Sequence, residues 1–270
     1  MYIADLTING TTLSLIPGNG YYISTIDGLT GVTGKLNTIP NAATIGEAYV
    51  DGTVGGKTLT INGVILDNNF TAKENLNNAV IPLGTGTFTI YDVAAANERP
   101  SAYRTIDVVV LSTPTITQEK HSRFSFQLYA PFPAWREQTA ITETAGAGLG
   151  YSITVKGQTS AEFEFTITPA SGTPVKSFYV QIDSGKLFAV DMTKYNANGV
   201  TTPITVTFKK GSVKVVTNNI DVTKCFYAQS NFLTLPVGAH TITITGVGTA
   251  AATSSIKYYP SYVGVILHCW

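Results

Sequence analysis

Residues 231–245, NFLTLPVGAHTITIT, carry the clearest β signature in the chain. Residues 232–235 read as a short strand, Pro236-Val237-Gly238 as a corner, and residues 241–245 as a second strand. Thr241, Thr243 and Thr245 alternate with Ile242 and Ile244, the two-residue period of a strand buried on one face. The stretch therefore predicts a hairpin inside a β-sandwich, a module used for building more often than for catalysis.

The same period recurs on both sides of it. In residues 161–168, Ala161, Phe163, Phe165 and Ile167 share one face, and Glu162, Glu164, Thr166 and Thr168 the other. Further strands are expected at 151–156, 177–182, 204–209, 212–217, 255–259 and 263–268. In the first half they are expected at 5–9, 12–15, 21–26, 57–66, 87–91, 105–111 and 122–129. One helix stands out at 71–81. Ala72, Leu76, Ala79 and Val80 fall on one face, Thr71 and Glu74 fit a capping box, and Pro82 stops it. The expected fold is mainly all-β with one short helix. The text changes at APFPAWRE, 130–137, whose two prolines exclude a central strand. The division expected is a first domain over 1–137 and a second, a β-sandwich, over 138–270.

Composition narrows the function. The 270 residues are 44% hydrophobic and only 13% charged, with 17 acidic and 17 basic residues. So few charges fit a subunit that buries surface against partners. No basic stripe is present, which argues against nucleic-acid specificity. No apolar run approaches the ~20 residues of a membrane-spanning helix, so no membrane insertion is expected. MYIADLTING reads as a first strand, with neither the basic nor the apolar region of a signal peptide.

Each candidate for chemistry has a plainer reading. Gly55-Gly56-Lys57-Thr58 resembles the end of a phosphate loop, but Asp51 stands where the earlier glycine belongs and a strand follows; a hairpin turn is expected. Gly146, Gly148 and Gly150 read as an interdomain connection rather than a dinucleotide fingerprint. His121, His240 and His268 have no metal-type neighbours at useful spacing, and His268 and Cys269 point to opposite strand faces. Cys225 and Cys269 read as buried thiols, with a single bridge between them left open. Glu162 and Glu164 share a wet strand face, and Trp135 reads as packing at the domain junction. Trp135 and Trp270 could each stack on a sugar ring, and the tyrosines at 258, 259 and 262 suit a core or an interface equally. No catalytic residue, metal site or cofactor is expected, and no binding residue is named.

Laid out in order, the chain resembles the distal tail (Dit) proteins of long-tailed siphophages. The likeness rests on YYISTIDGLTG (21–31), KTLTINGVILD (57–67), the helix after it, TFTIYD, the corner SRFSFQLYAPFPAW, and the stretch from Ser212 to FLTLPVGAHTITIT. The sequence departs from the family pattern at Lys57, where Arg is usual, at His240, where Asn is usual, and at Ala130-Pro131-Phe132. The resemblance implies a structural virion protein, not an enzyme. It implies a homo-hexameric ring built by the first domain and a galectin-like second domain. The ring would join the tail tube protein to the tail-tip hub protein, with a receptor-binding protein as a further partner. The implied location is the virion tail tip, after assembly in the host bacterial cytoplasm. The competing expectation is a carbohydrate-binding adhesion module, which requires exposed aromatics on the second domain with polar groups beside them.

Overall fold

The computed structural model describes residues 2–32, 34–40, 47–91, 103–145, 150–183, 185–209 and 211–264. The chain divides into two compact units. One is Met1–Gln138 with Tyr262–Trp270, and the other is Thr139–Ser261. The expected second domain ran to 270, whereas the described chain returns to the first unit at Tyr262.

The first unit contains β1 (Ile3–Ile8), β2 (Thr11–Leu15), β3 (Tyr21–Asp27), β4 (Gly34–Pro40), β5 (Glu47–Val54), β6 (Lys57–Ile65), α1 (Phe70–Ala79), β7 (Thr85–Tyr91), β8 (Tyr103–Val110), β9 (Thr115–Ile116), β10 (Ser122–Ala130) and β11 (Trp135–Glu137). Its main sheet runs β2-β1-β7-β8-β10-β6-β3, with β9 on β10 and β11 on β8. Tyr2 bridges Ile23, so the start of β1 meets β3 from the far end of that order. The alternation in β10 puts Phe124, Phe126 and Leu128 into the core, and β6 adds Leu59, Ile61 and Ile65. Helix α1 covers this core with Ala72, Leu76 and Ala79, followed by Val80.

The helix begins one residue earlier than expected, and its cap is Asn69 rather than Thr71. The Asn69 backbone is extended, and its side-chain oxygen accepts the Ala72 N–H at 3.1 Å. That satisfies one of the free donors of the first turn. Strands β4 and β5 form a two-stranded ribbon and, among the described residues, pair only with each other. Gly55-Gly56 links this ribbon to β6; it is not a turn between paired strands, because β6 gives its two edges to β10 and β3.

The second unit contains β12 (Ile141–Ala145), β13 (Gly150–Val155), β14 (Phe163–Thr168), β15 (Ser177–Ile182), β16 (Leu187–Asp191), β17 (Ile204–Lys209), β18 (Ser212–Thr217), β19 (Ile220–Asp221), β20 (Gly238–Val247) and β21 (Thr253–Tyr258); a short β22 (Ser261–Tyr262) follows. A six-stranded sheet runs β12-β21-β14-β17-β18-β19, and a four-stranded sheet runs β13-β20-β15-β16. Phe163, Phe165 and Ile167 from the first share one core with Phe178, Val180, Ile242 and Ile244 from the second. This is a β-sandwich.

Residues 231–245 are not a hairpin. Strand β20 lies between β13 and β15, so both of its edges are taken and none is left for residues 232–235. Leu235 instead pairs with Ala161, just ahead of β14, and Phe232 is exposed. Pro236 and Val237 carry the chain from the side of one sheet into the other.

Candidate functional site

The sequence candidates disperse. Lys57 lies on β6, where its Nζ donates to the carbonyls of Gly31 at 2.9 Å and Leu29 at 3.3 Å. Burial lowers its pKa. The ammonium closes the base of the ribbon and is committed to protein acceptors. Gly150 opens β13 and so joins two strands of one unit, not two domains; Gly146 and Gly148 fall outside the described residues. Trp135 is fully buried in the core of the first unit and offers no face to a sugar. His268, Cys269 and Trp270 are outside the described residues. Cys225 is a free, buried thiol whose pKa is raised by that burial.

Glu164 sits on the outer face of the six-stranded sheet, opposite Lys257 on one side and Thr207 on the other. It forms part of a solvated row with no carboxylate partner in register. Glu162 precedes β14. His121 is exposed in the turn before β10. Among the described residues no group of three His, Cys, Asp or Glu side chains is placed to hold a metal.

His240 is structural. Its Nδ1 lies 2.8 Å from Asp183 Oδ2, and the other Asp183 oxygen accepts the Thr241 N–H at 2.9 Å. The hydrogen bond to His240, followed by that to Thr241, holds the Asp183 carboxyl below its ordinary range. Asp183 has φ +54°, so this contact stabilises a left-handed turn after β15 and ties it to β20.

Two surfaces were not legible in the sequence. In the first unit, β2 ends the sheet order and lies beside α1. Between them is a cleft of about 490 Å³ lined by Thr11, Thr12, Ser14, Asn69, Asn75 and Asn78. The lining is uncharged and rich in amides and hydroxyls.

In the second unit, the outer face of the four-stranded sheet carries an aromatic cluster. Tyr179 on β15 pairs with Ala189 on β16, and the Tyr227 N–H donates to the Ala189 carbonyl at 3.0 Å. Ala189 is thus a small residue between two tyrosines, and it is buried although it faces outward. The two rings are 6.4 Å apart between centroids with planes 10° from parallel. Lys194 Nζ lies 4.9 Å from the Tyr227 ring centre. Asp191 hydrogen-bonds Tyr227, and its own carboxyl is held below the ordinary range first by the Thr193 hydroxyl. Tyr179 has a weak signal in the sequence, an outward position in the alternation SFYVQI. Tyr227 has none, because its contact is made across 48 residues of chain by an irregular segment.

The chain matches the SPP1 Dit protein with a TM-score of 0.70 at 13% identity, covering 97% of this chain and 99% of that one. The fold is that of a distal tail protein. The distal tail fold accounts for both units, since the match runs through nearly the whole of each chain. A chain of the phage P2 baseplate in its activated conformation with calcium matches with a TM-score of 0.56 at 7% identity, covering 98% and 99%. The same baseplate with strontium gives a TM-score of 0.56 at 9% identity. The SPP1 protein is described as a paradigm of the hub adsorption apparatus in phages that infect Gram-positive bacteria. No protein-family model matches the chain, and no curated protein matches it by sequence.

Proposed function

We propose that this chain is a non-enzymatic virion protein, the distal tail subunit of a long non-contractile phage tail, and that it closes into a homo-hexameric ring. The observation that carries this reading is the whole-length likeness in fold to the SPP1 Dit protein. The second unit is read as the galectin-like sandwich of that fold. The ring joins the tail tube protein above it to the tail-tip hub protein and the host-recognition device below it.

The geometry of the first unit supports assembly. A two-stranded ribbon is at best marginally stable alone in water, yet β4 and β5 pair only with each other among the described residues. Such a ribbon gains stability by docking on another subunit. Strand β2, with its neutral cleft, is an edge suited to receive an extended segment. Two different surfaces on one chain make a head-to-tail contact, and a head-to-tail contact closes into a ring when its rotation allows. The mechanism is geometric: a rigid adaptor transmits position and load, with no bond made or broken.

Electron micrographs of the purified full-length chain test this directly. Six-fold rings are expected, whereas fields of single subunits at all concentrations would contradict the reading.

A further inference from the structure

We propose that residues 262–264 are a clasp, which closes on the first unit after the chain has passed through the second and holds the base of the β4–β5 ribbon ready for assembly. The clasp deepens the assembly reading given above and rests on it. Chain order sets up the device. Residues 1–138 belong to the first unit and 139–261 to the second, and the chain re-enters the first at Tyr262. A chain emerges from its N-terminal end, so the first unit is complete only once the second has been made.

Two contacts of the returning segment close the unit. The first is at β11, a three-residue strand with β8 on one edge and the two-residue β22 on the other. Glu137 on β11 stands opposite Arg104 on β8. Its Oε1 accepts from Arg104 at 2.7 Å and from the Tyr262 hydroxyl at 2.8 Å, and the guanidinium lies 3.7 Å from the centre of the Tyr262 ring. One carboxylate oxygen thus joins β8, β11 and the return. Burial, and then the bond to Glu137, raises the Tyr262 pKa, so the hydroxyl keeps the proton it donates. The second contact is at Gly264. A methyl group added there would lie 3.3 Å from Thr30 Cα and 3.5 Å from the Gly31 nitrogen and the Leu29 carbonyl oxygen. The backbone of the return therefore lies against the turn at 29–31.

That turn leads into the ribbon. The carbonyls of Leu29 and Gly31 accept from Lys57 Nζ, and the ribbon runs between them, from Gly34 to Val54. With residues 262–264 in place, Gly264 fixes the turn as well as Lys57. Without them the turn keeps two hydrogen bonds to one flexible side chain and loses its backbone neighbour. A docking element held less firmly loses more conformational freedom on binding, which weakens the contact. The clasp can also open alone. Its strand is two residues long, Tyr262 lies outside the first core, and the Arg104 and Glu137 side chains are 27% and 34% exposed. Opening so small an element does not require the core to melt.

The test is hydrogen exchange on the full-length chain, read by mass spectrometry in peptides covering 29–31 and 135–137. The oligomeric mass is measured by light scattering on the same samples. Tyr262→Ala is expected to speed exchange about tenfold or more in both peptides, while β6 and β10 keep wild-type protection. It is also expected to raise the concentration at which the assembly dissociates about tenfold or more. Gly264→Val leaves the Glu137 contacts in place and crowds the turn, so it is expected to loosen 29–31 and weaken assembly in the same direction. Lys257→Ala, on the outer face of the six-stranded sheet, is expected to change neither readout. Thermal melts verify folding, and Gly264→Val decides the matter if Tyr262→Ala is unstable. Wild-type exchange at 29–31 in the folded variants overturns the clasp, and so does wild-type assembly by a variant whose 29–31 turn has loosened. A wild type that stays a monomer refutes the ring, and exchange at 29–31 then decides the clasp by itself.

Discussion

Tyr21 shows how much a single side chain can report. It is buried in the first core, its hydroxyl donates to the Ala72 carbonyl at 2.7 Å, and its ring meets Phe124 edge-on. Burial raises its pKa from 10.0 to about 12. The folded state therefore holds this proton more tightly than the unfolded chain does. The resulting stability is complete below pH 10 and is lost as pH rises through about 12, by roughly 2–3 kcal/mol in all. Urea unfolding followed from about pH 9 upward should show this loss, and Tyr21→Phe should flatten it. Asn69→Ala should cost about 1 kcal/mol, read as a lower urea midpoint with an unchanged slope. Thr71 and Glu74 satisfy the capping motif by spacing alone, but the chain enters the helix through an extended Asn69. Gly63 was legible as part of a family motif but not in its cause. It faces Phe124 on β10 and the Tyr22 carbonyl on β3, so any side chain there meets both. Gly63→Ala should destabilise the first unit by about 1–3 kcal/mol. At the return of the chain, Glu137 accepts from Tyr262 at 2.8 Å and from Arg104 at 2.7 Å, with the guanidinium 3.7 Å from the centre of the Tyr262 ring. That latch joins residues distant in sequence, and no local pattern announces it.

At the scale of elements, strands buried on one face were the legible ones. The strands β15, β17 and β18 match the residues expected, because alternation reports burial directly. Strand β16 was missed because Phe188, Ala189 and Val190 are all buried, so its pattern shows no period. The corner at Pro236 suggests a hairpin in the sequence because periodicity identifies strands but not their partners. Strand β20 takes β13 and β15 as neighbours, and neither is adjacent to it in sequence. The ribbon of β4 and β5 was also missed, and it carries the most specific prediction at this scale. Lys57 bonded to Leu29 and Gly31 brings the ribbon's base together, so a short Gly-Ser turn can replace residues 34–54. The shortened chain should keep its far-ultraviolet circular dichroism and melting temperature and lose its oligomeric state. A shortened chain that remains assembled would remove the ribbon from the contact.

For the whole molecule, the central claim is assembly. The proposed assembly rests on a chain that is 13% charged, with an edge strand beside a neutral cleft and a ribbon lacking a described partner outside itself. The contact of Tyr179 with Tyr227 has no signal in the sequence, because it is assembled from residues 177–191 and Tyr227, which only the sandwich brings together. The direct test of the ring is the mass of the purified full-length chain in solution, measured by light scattering at rising concentration. The account predicts a stable species of six times the 28.7 kDa subunit mass, reduced to one subunit when residues 34–54 are replaced. A single 28.7 kDa species for the intact chain at every concentration would contradict it.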